Sequence, residues 1–497
     1  MSQPPLAGVF ERARSVHQEI DRKAAVQPRA LGVWPLLGWP LLLLLVGLYA
    51  WAMHRGGPLF ALAAVGLAGT FVATLLVLEI GLGVLILSML LSPELTVASV
   101  GVRNLTLRIE DLLIPVVALA WLARKALGIE RRELRSDPIL PMMAAFVALQ
   151  VVSSYLGSAL AGLNLAASLL YILKGIEYFA IFYFALQYVD TERRISGVLM
   201  LAMAAALLVS LYNYFLIPGN QVWTTHRISA PFEGSPEPSS IGAYFVLVLA
   251  MLLALALEAR EPRTRHWLLA AFGVVFLPFL FTLSRTSYAA FLVMVLLMVW
   301  LSRNATLAAV LGLALLLSPL VLPDPVIDRI LFTFRNPHRV LGVFDSSFGE
   351  RIYIWKKVLW NLRLKPLLGH GVTYHDVIDS YYARLLIETG VFGLLAFALI
   401  VGRLFVLAGR VRRHHPAWWA RGIALGYTAG LVALLVHATS AVTFLIVRVM
   451  EPFWLLSGVV AALAHQCAAA DPGPPPPVES PTPPPPSPAS LRRRLHG

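Results

Sequence analysis

The 497-residue sequence contains one cysteine, Cys467, so no disulfide forms within the chain and no cysteine-based zinc site can be built. Charged residues make up only 13% of it against 58% hydrophobic, and a water-soluble domain has no means of hiding that much apolar surface. Soluble-enzyme motifs are missing too. There is no phosphate-binding loop, no Gly-x-Ser-x-Gly elbow and no His-Glu-x-x-His pair. No Asp-x-Asp pair stands ready to hold a metal-bound nucleotide sugar, and His414–His415 lie in a basic loop with no carboxylate close by, which argues against a metal site. Acidic residues are outnumbered 27 to 40, giving a net charge of +13. Most of the excess sits in short loops between apolar runs, as cytoplasmic loops require, and no basic patch with interleaved aromatics forms a soluble module, so nucleic acid is not expected as a partner.

What the chain does have is long apolar runs. A helix crosses the hydrocarbon with about 20 residues. Candidate spans fall at 33–53, 58–76, 77–93, 109–124, 139–160, 166–189, 195–217, 240–258, 267–283, 286–302, 305–322, 391–409, 422–442 and 449–466. Read as one helix, the stretch from Pro58 to Pro93 would be about 54 Å long, too long for a core of about 30 Å, and the "EIGLG" break at Glu79–Gly83 favours two short crossings. The expectation is an all-α polytopic membrane protein with about 14 transmembrane helices (a range of about 12–14). The positive-inside rule places both termini in the cytoplasm, because Arg12, Arg14, Arg22, Lys23 and Arg29 share a side with "ARKALGIERRELR", "GRVRRHHPAWWAR" and the final "LRRR". The resulting segments are a cytoplasmic 1–32, without a cleavable signal peptide, helices 1–11 over 33–322, a large helical outer loop over 323–390, helices 12–14 over 391–466, and a proline-rich disordered tail over 467–497.

The outer loop breaks the local charge rule with Arg329, Arg335, Arg339, Arg351, Lys356, Lys357, Arg363 and Lys365. Long loops translocate regardless of charge, but an anionic ligand would give the excess a purpose. Within it "SFGERIYIWKKVLWNL" reads as an amphipathic helix opened by a Ser347–Glu350 capping box, with Ile352, Trp355, Leu359 and Leu362 on one stripe and Pro366 as its stop. A second helix is expected from Asp379 through "YYARLLIE", with Gly390 at its end or at a bend into the membrane.

Four charged residues gather at the outer level. Arg227 precedes a span, Arg285 sits between two apolar runs with almost no loop, Arg351 opens the amphipathic helix and Asp379 opens the next. An Arg squeezed between spans lines a wet cavity, pairs, or snorkels to headgroups. Arg351 also reads as a solvated helix residue, and Asp379 as an N-cap. Lys174 with Glu177, and Arg448 with Glu451, read as neutralising pairs inside spans, and His437 as a satisfied core histidine rather than a base.

In order, "RISAPFEGSPEPSSIGAYF", "LSRTSYAAF", "GERIYIWKKVLWNLRLKPLLGHGV" and "DSYYARLLIETGVFG" resemble the bacterial O-antigen ligase and O-antigen polymerase superfamily. That resemblance implies a multi-pass glycosyltransferase of the bacterial inner (cytoplasmic) membrane, working on the periplasmic side in O-antigen or exopolysaccharide biosynthesis. It implies an undecaprenyl-pyrophosphate-linked glycan as donor, a second glycan or the lipid A core as acceptor, membrane lipid around the site, chain-length regulators or assembly proteins as partners, and no cofactor or metal. Arg285, Arg351 and Arg227 stand at the family's arginine positions, the first two as catalytic residues. Ligases carry His-Asn eleven residues before the first Gly of "GxxG", whereas here Asp379–Ser380 stand there. The resemblance thus puts Asp379 as base or acceptor-positioning residue, with His375 as its substitute and Tyr381, Tyr382 and Glu388 as substrate contacts, and it leans from ligase toward polymerase. Two readings from other classes stay open at this stage: a transporter or flippase for lipid-linked glycans, and a scaffold recruiting partners through the tail.

Overall fold

The computed structural model describes residues 58, 61–92, 95–100, 103–130, 133–189, 191–216, 228–231, 237–335, 346–374 and 378–470. The chain divides into two units, Met1–Leu78 and Glu79–Gly497. In the first, the described residues form an apolar helix, α1 (Ala61–Leu76). The second contains α2 (Leu78–Leu91), a short antiparallel hairpin of β1 (Leu95–Val100) and β2 (Arg103–Leu107), and then helices only. These are α3 (Ile109–Ala126), α4 (Ile139–Ala161), α5 (Leu165–Tyr188), α6 (Glu192–Leu216), α7 (Pro238–Glu258), α8 (Pro262–Phe281), α9 (Arg285–Ser302), α10 (Ala305–Val321), α11 (Asp324–Arg335), α12 (Ser346–Leu362), α13 (Tyr381–His414), α14 (Trp418–His437) and α15 (Val447–Ala470). The hairpin was not anticipated, and the break in the 58–93 stretch falls at Val77, just ahead of Glu79.

Among the described residues nine helices are long and apolar enough to cross a membrane, namely α4 to α9 and α13 to α15. A tenth arises if α10 and α11, bent by 100° at a short break, count as one span. Three further expected spans correspond to α1 and α2, which are apolar but shorter, and to α3, which is outside the nine. The expected first span, 33–53, lies outside the described residues, as does the proline-rich tail from Asp471. The chain is therefore a multi-pass membrane protein, with nine or ten crossing helices among the described residues.

Burial sorts these helices. In α7 and α15, 89% of the apolar window is inside the protein, whereas no side chain of α10 is buried. Apolar residues on α10 thus face the bilayer, which the sequence pattern alone could not distinguish from a core. Against α7 runs a seam of small residues on α14. A Cβ on Gly422, Gly426 or Gly430 would meet Leu255, Ala250 and Leu247 at 3.0, 2.9 and 2.9 Å, so glycine spacing of four lets the two backbones approach. Elsewhere Asp137 anchors α4 by accepting from Arg403 Nη2 at 2.8 Å and from Nε at 3.1 Å. Burial would raise its carboxyl, but the hydrogen bonds from His465, Arg403 and the Ile139 N–H outweigh it and hold the group well below the usual carboxylate range.

Two expected pairs come out differently. Lys174 does meet Glu177, at 3.4 Å, but it also hydrogen-bonds Asp111 on α3. Arg448 instead donates to the carbonyls of Leu90 (2.8 Å) and Ser92 (3.5 Å), and the buried Glu451 oxygens take no hydrogen bond among the described residues. The expected Arg448–Glu451 pair is therefore corrected: Arg448 closes the carbonyl end of α2, whose last C=O groups have no intrahelical donor.

The segment from 346 to 392 is built around a kink. Helix α13 breaks at Gly390, whose φ of 66° and ψ of −163° suit glycine almost alone. Residues 366–371 cross this point by backbone pairing. His370 N donates to Ile387 O (2.8 Å), Gly371 N to Glu388 O (2.9 Å), Val391 N to Pro366 O (2.9 Å) and Phe392 N to Leu367 O (3.2 Å). The kink frees these carbonyls and amides, and the crossing segment satisfies them. Helix α12 then packs on α13 through Val358, with Ile354 and Trp355 against Ile378, Ala383 and Ile387. The expected stripe is corrected here, since Leu359 is 52% exposed and Val358 takes the buried place.

Candidate active site

The turn "LSRTS" between α8 and α9 sets the first part of the site. Ser284 caps α9 by accepting from Ser287 N, and Leu283 before it has a positive φ of 49°, uncommon for a residue with a Cβ. This turn points Leu283 O outward, where Arg329 Nε on α11 donates to it at 3.2 Å. Arg285, at the first position of α9, holds its guanidinium 6.0 Å from the Phe332 ring, and that of Arg329 lies 5.7 Å from the same ring. Two cations thus share one aromatic face at the amino end of a helix, where the backbone dipole is also positive.

Behind the turn lies His437, the last residue of α14 and fully buried. Its Nε2 is 3.2 Å from both Ser239 Oγ on α7 and Ser287 Oγ on α9, and its Nδ1 is 2.8 Å from Thr443 Oγ1. Ser287 Oγ in turn reaches Ser284 Oγ at 2.8 Å. The imidazole therefore ties α7, α9 and the segment before α15 into one frame, as the satisfied-histidine reading expected. Arg351 stands in the second turn of α12, the helix that packs through Ile354, Trp355 and Val358 against Ile378, Ala383 and Ile387 at the start of α13.

Gly242 makes this frame possible. A Cβ there would sit 2.3 Å from Ser287 Oγ and 2.9 Å from Ser287 Cβ. Gly242→Ala is expected to displace Ser287 and the α9 turn, lowering stability by about 1–3 kcal/mol. Adding Ser287→Gly should return part of the lost stability. Melting temperatures of the two variants check this.

The start of α13 completes the arrangement. Tyr381 N donates to Ala438 O (3.0 Å) and Ala441 O (3.2 Å), and Tyr382 Oη donates to Leu435 O (2.8 Å), so this helix is fastened beside His437. Asp379 is exposed just before it. Tyr381 itself is buried, its ring 5.1 Å from that of Phe397 and 5.2 Å from that of Phe444. Glu388 lies two turns on, where it pairs with Arg384 at 3.0 Å and accepts from Thr373 N at 3.1 Å. His370, the other histidine of the segment, is buried and stacked on Tyr374 at 4.3 Å. Arg227 and His375 lie outside the described residues, although Ile228 N docks on Phe281 O (3.4 Å) beside the α9 turn.

The sequence singled out Arg285 and Arg351 but gave Arg329 no role beyond the general basicity of the loop. Its only signal was a cation on the short amphipathic helix "DPVIDRILFTFR" that follows a span. Nor did any local pattern announce the serines around His437, which come from the starts of two helices, α7 and α9.

Comparison with known proteins agrees with these elements. Residues 276–398 match the family model described as O-antigen ligase, a stretch that holds Arg285, Arg329, Arg351, Asp379 and Glu388. No curated protein matches the chain. A chain from a solved structure concerned with polymerization and crosslinking by a peptidoglycan synthase complex is similar at 20% identity, covering 67% of this chain and 99% of that one, with a TM-score of 0.40.

Proposed function

We propose that the chain is a member of the O-antigen ligase and polymerase superfamily and acts as a polysaccharide polymerase, extending undecaprenyl-pyrophosphate-linked glycans without a metal at the outer face of the bacterial inner membrane; the O-antigen ligase match over residues 276–398 supports this reading. The observation that carries this reading is the pairing of Arg285 and Arg329 around Phe332 at the amino end of α9, with Arg351 on the helix that packs against the start of α13. In the reaction, an acceptor hydroxyl attacks the anomeric carbon of the donor sugar. The bond from that carbon to the pyrophosphate oxygen breaks, and its electron pair leaves with the phosphate. Guanidinium groups and the α9 amino end stabilise the charge that builds on the leaving oxygens, more strongly where water is excluded. Asp379, exposed at the foot of α13, takes the hydroxyl proton. His437 holds the α9 turn and touches neither substrate. Both termini lie in the cytoplasm in this reading, so the basic outer segment faces the lipid-linked donor.

Asp379→Asn is expected to lower kcat about 10²-fold with the donor KM nearly unchanged, as loss of a general base does. A deletion strain tests polymerase against ligase. If the chain is a polymerase, a sizing gel of surface and carrier-linked glycans shows single repeat units still reaching their normal acceptor. Long chains accumulating on undecaprenyl pyrophosphate with a bare acceptor would identify a ligase.

A further inference from the structure

A cleft opens between α4, α5, α13 and α15. Phe146, Phe179, Phe397 and Trp454 line it, and Arg384 and Glu388 stand in the same wall. This pair is 9% and 7% exposed. Arg384 Nε and Glu388 Oε1 satisfy each other, but among the described residues no protein group accepts from the Arg384 Nη atoms or donates to Glu388 Oε2. Arg384 also lies 6.0 Å from the ring of Tyr171, another wall residue. A charge pair so withdrawn from water, with donors and an acceptor left over, is costly until a polar ligand completes it.

The net charge of the pair decides which ligand. A pyrophosphate would meet as much repulsion from Glu388 as attraction from Arg384, and the cation pair of Arg285 and Arg329 already suits it. A neutral saccharide fits the cleft better. Its hydroxyls donate to Glu388, its oxygens accept from Arg384, and its C–H faces lie against the flat rings of Tyr171 and its neighbours. Both sites meet at Tyr381. Its N–H is tied to Ala438 and Ala441 beside His437, while its ring forms part of the cleft wall. We propose that this cleft binds the saccharide of the acceptor. The proposal rests on the glycosyl-transfer reading above.

The test uses the purified full-length protein and two probes: the oligosaccharide freed by mild acid from the undecaprenyl-pyrophosphate pool of the producing cells, and undecaprenyl phosphate without sugar. Saturation-transfer NMR reports oligosaccharide binding, and melting temperature reports folding. Glu388→Gln and Tyr171→Ala are each expected to weaken binding at least about tenfold, the loss of a charge-assisted hydrogen bond or a ring contact. Because Tyr171 is only half-buried, its variant folds even if Glu388→Gln does not. Arg285→Ala should leave oligosaccharide binding unchanged while abolishing turnover, and undecaprenyl phosphate should not compete. Unchanged binding in a folded Tyr171→Ala variant, or full displacement by undecaprenyl phosphate, would overturn the proposal. Wild-type turnover is scored separately: its absence alongside intact oligosaccharide binding would sink the transfer reading rather than the cleft.

Discussion

Arg285→Ala and Arg351→Ala should each cut glycan transfer by about 10²–10³-fold, the usual cost of removing one preorganised donor from a developing anion. Both proteins should accumulate in the membrane at wild-type level, because neither side chain closes the core: Arg285 is half-buried over Phe332, and Arg351 is half-buried on a surface helix. The leaving group explains the size of the effect. A lipid pyrophosphate departs without a proton, so its charge must be met by fixed cations, and a guanidinium fork meets two oxygens at once. Lysine at either position keeps the charge but loses the fork, so it should restore only part of the rate. Arg329→Ala is expected to fall in the same range, with an added loosening of the α9 turn through its bond to Leu283 O. Turnover of lipid-linked donor by reconstituted protein measures all five variants. Full activity in both alanine variants would remove the site from this end of the bundle.

Gly390→Ala should be the most damaging single methyl in the chain. An alanine cannot adopt φ 66° with ψ −163° without strain, at a cost of about 1–3 kcal/mol. Its Cβ would also lie 2.4 Å from both the carbonyl carbon and oxygen of Leu367. Those are backbone atoms pinned by four hydrogen bonds, so neither can yield cheaply, and overpacking adds about 1–3 kcal/mol. The segment 366–371 would lift from the kink, and with it the support beneath Glu388 and the start of α13. The expected result is a protein that fails to accumulate, or that melts well below wild type and is inactive. Gly402→Ala on the same helix is the control. Nothing lies within 4 Å of its Cβ, so it should be neutral or gain about 0.5–1 kcal/mol of helix stability. Thermal melting monitored by size-exclusion chromatography separates the two variants.

How far these features could be read from sequence depends on their range. Spans were legible because twenty apolar residues in a row need no tertiary context, and Gly390 was placed at a bend because glycine punctuates a helix wherever it occurs. The buried face of α12 was not. Lipid and water both surround that helix, so Leu359 and Trp360 are apolar yet 52% and 67% exposed, and periodicity marks an apolar face without saying what it faces. Arg448 was assigned to Glu451 by spacing alone, whereas its carbonyl partners on Leu90 and Ser92 lie more than 350 residues away in sequence, at separations of 358 and 356. Site residues divide in the same way. Arg285 was visible because it stands in an improbable place between two spans. Arg329 was hidden because its meaning comes from a carbonyl 46 residues earlier, in a turn whose shape no local pattern discloses.

The measurement that bears most directly on the central claim is a donor-only reaction. Full-length protein in lipid nanodiscs receives undecaprenyl-pyrophosphate oligosaccharide as both donor and acceptor, in the presence of a chelator, and products are resolved by mass. The account predicts a ladder of lipid-linked glycans lengthening by whole repeat units, with one undecaprenyl pyrophosphate released for each bond formed, and no ladder with Arg285→Ala. Unchanged substrate, or substrate that crosses the bilayer of proteoliposomes without any new glycosidic bond, would contradict it.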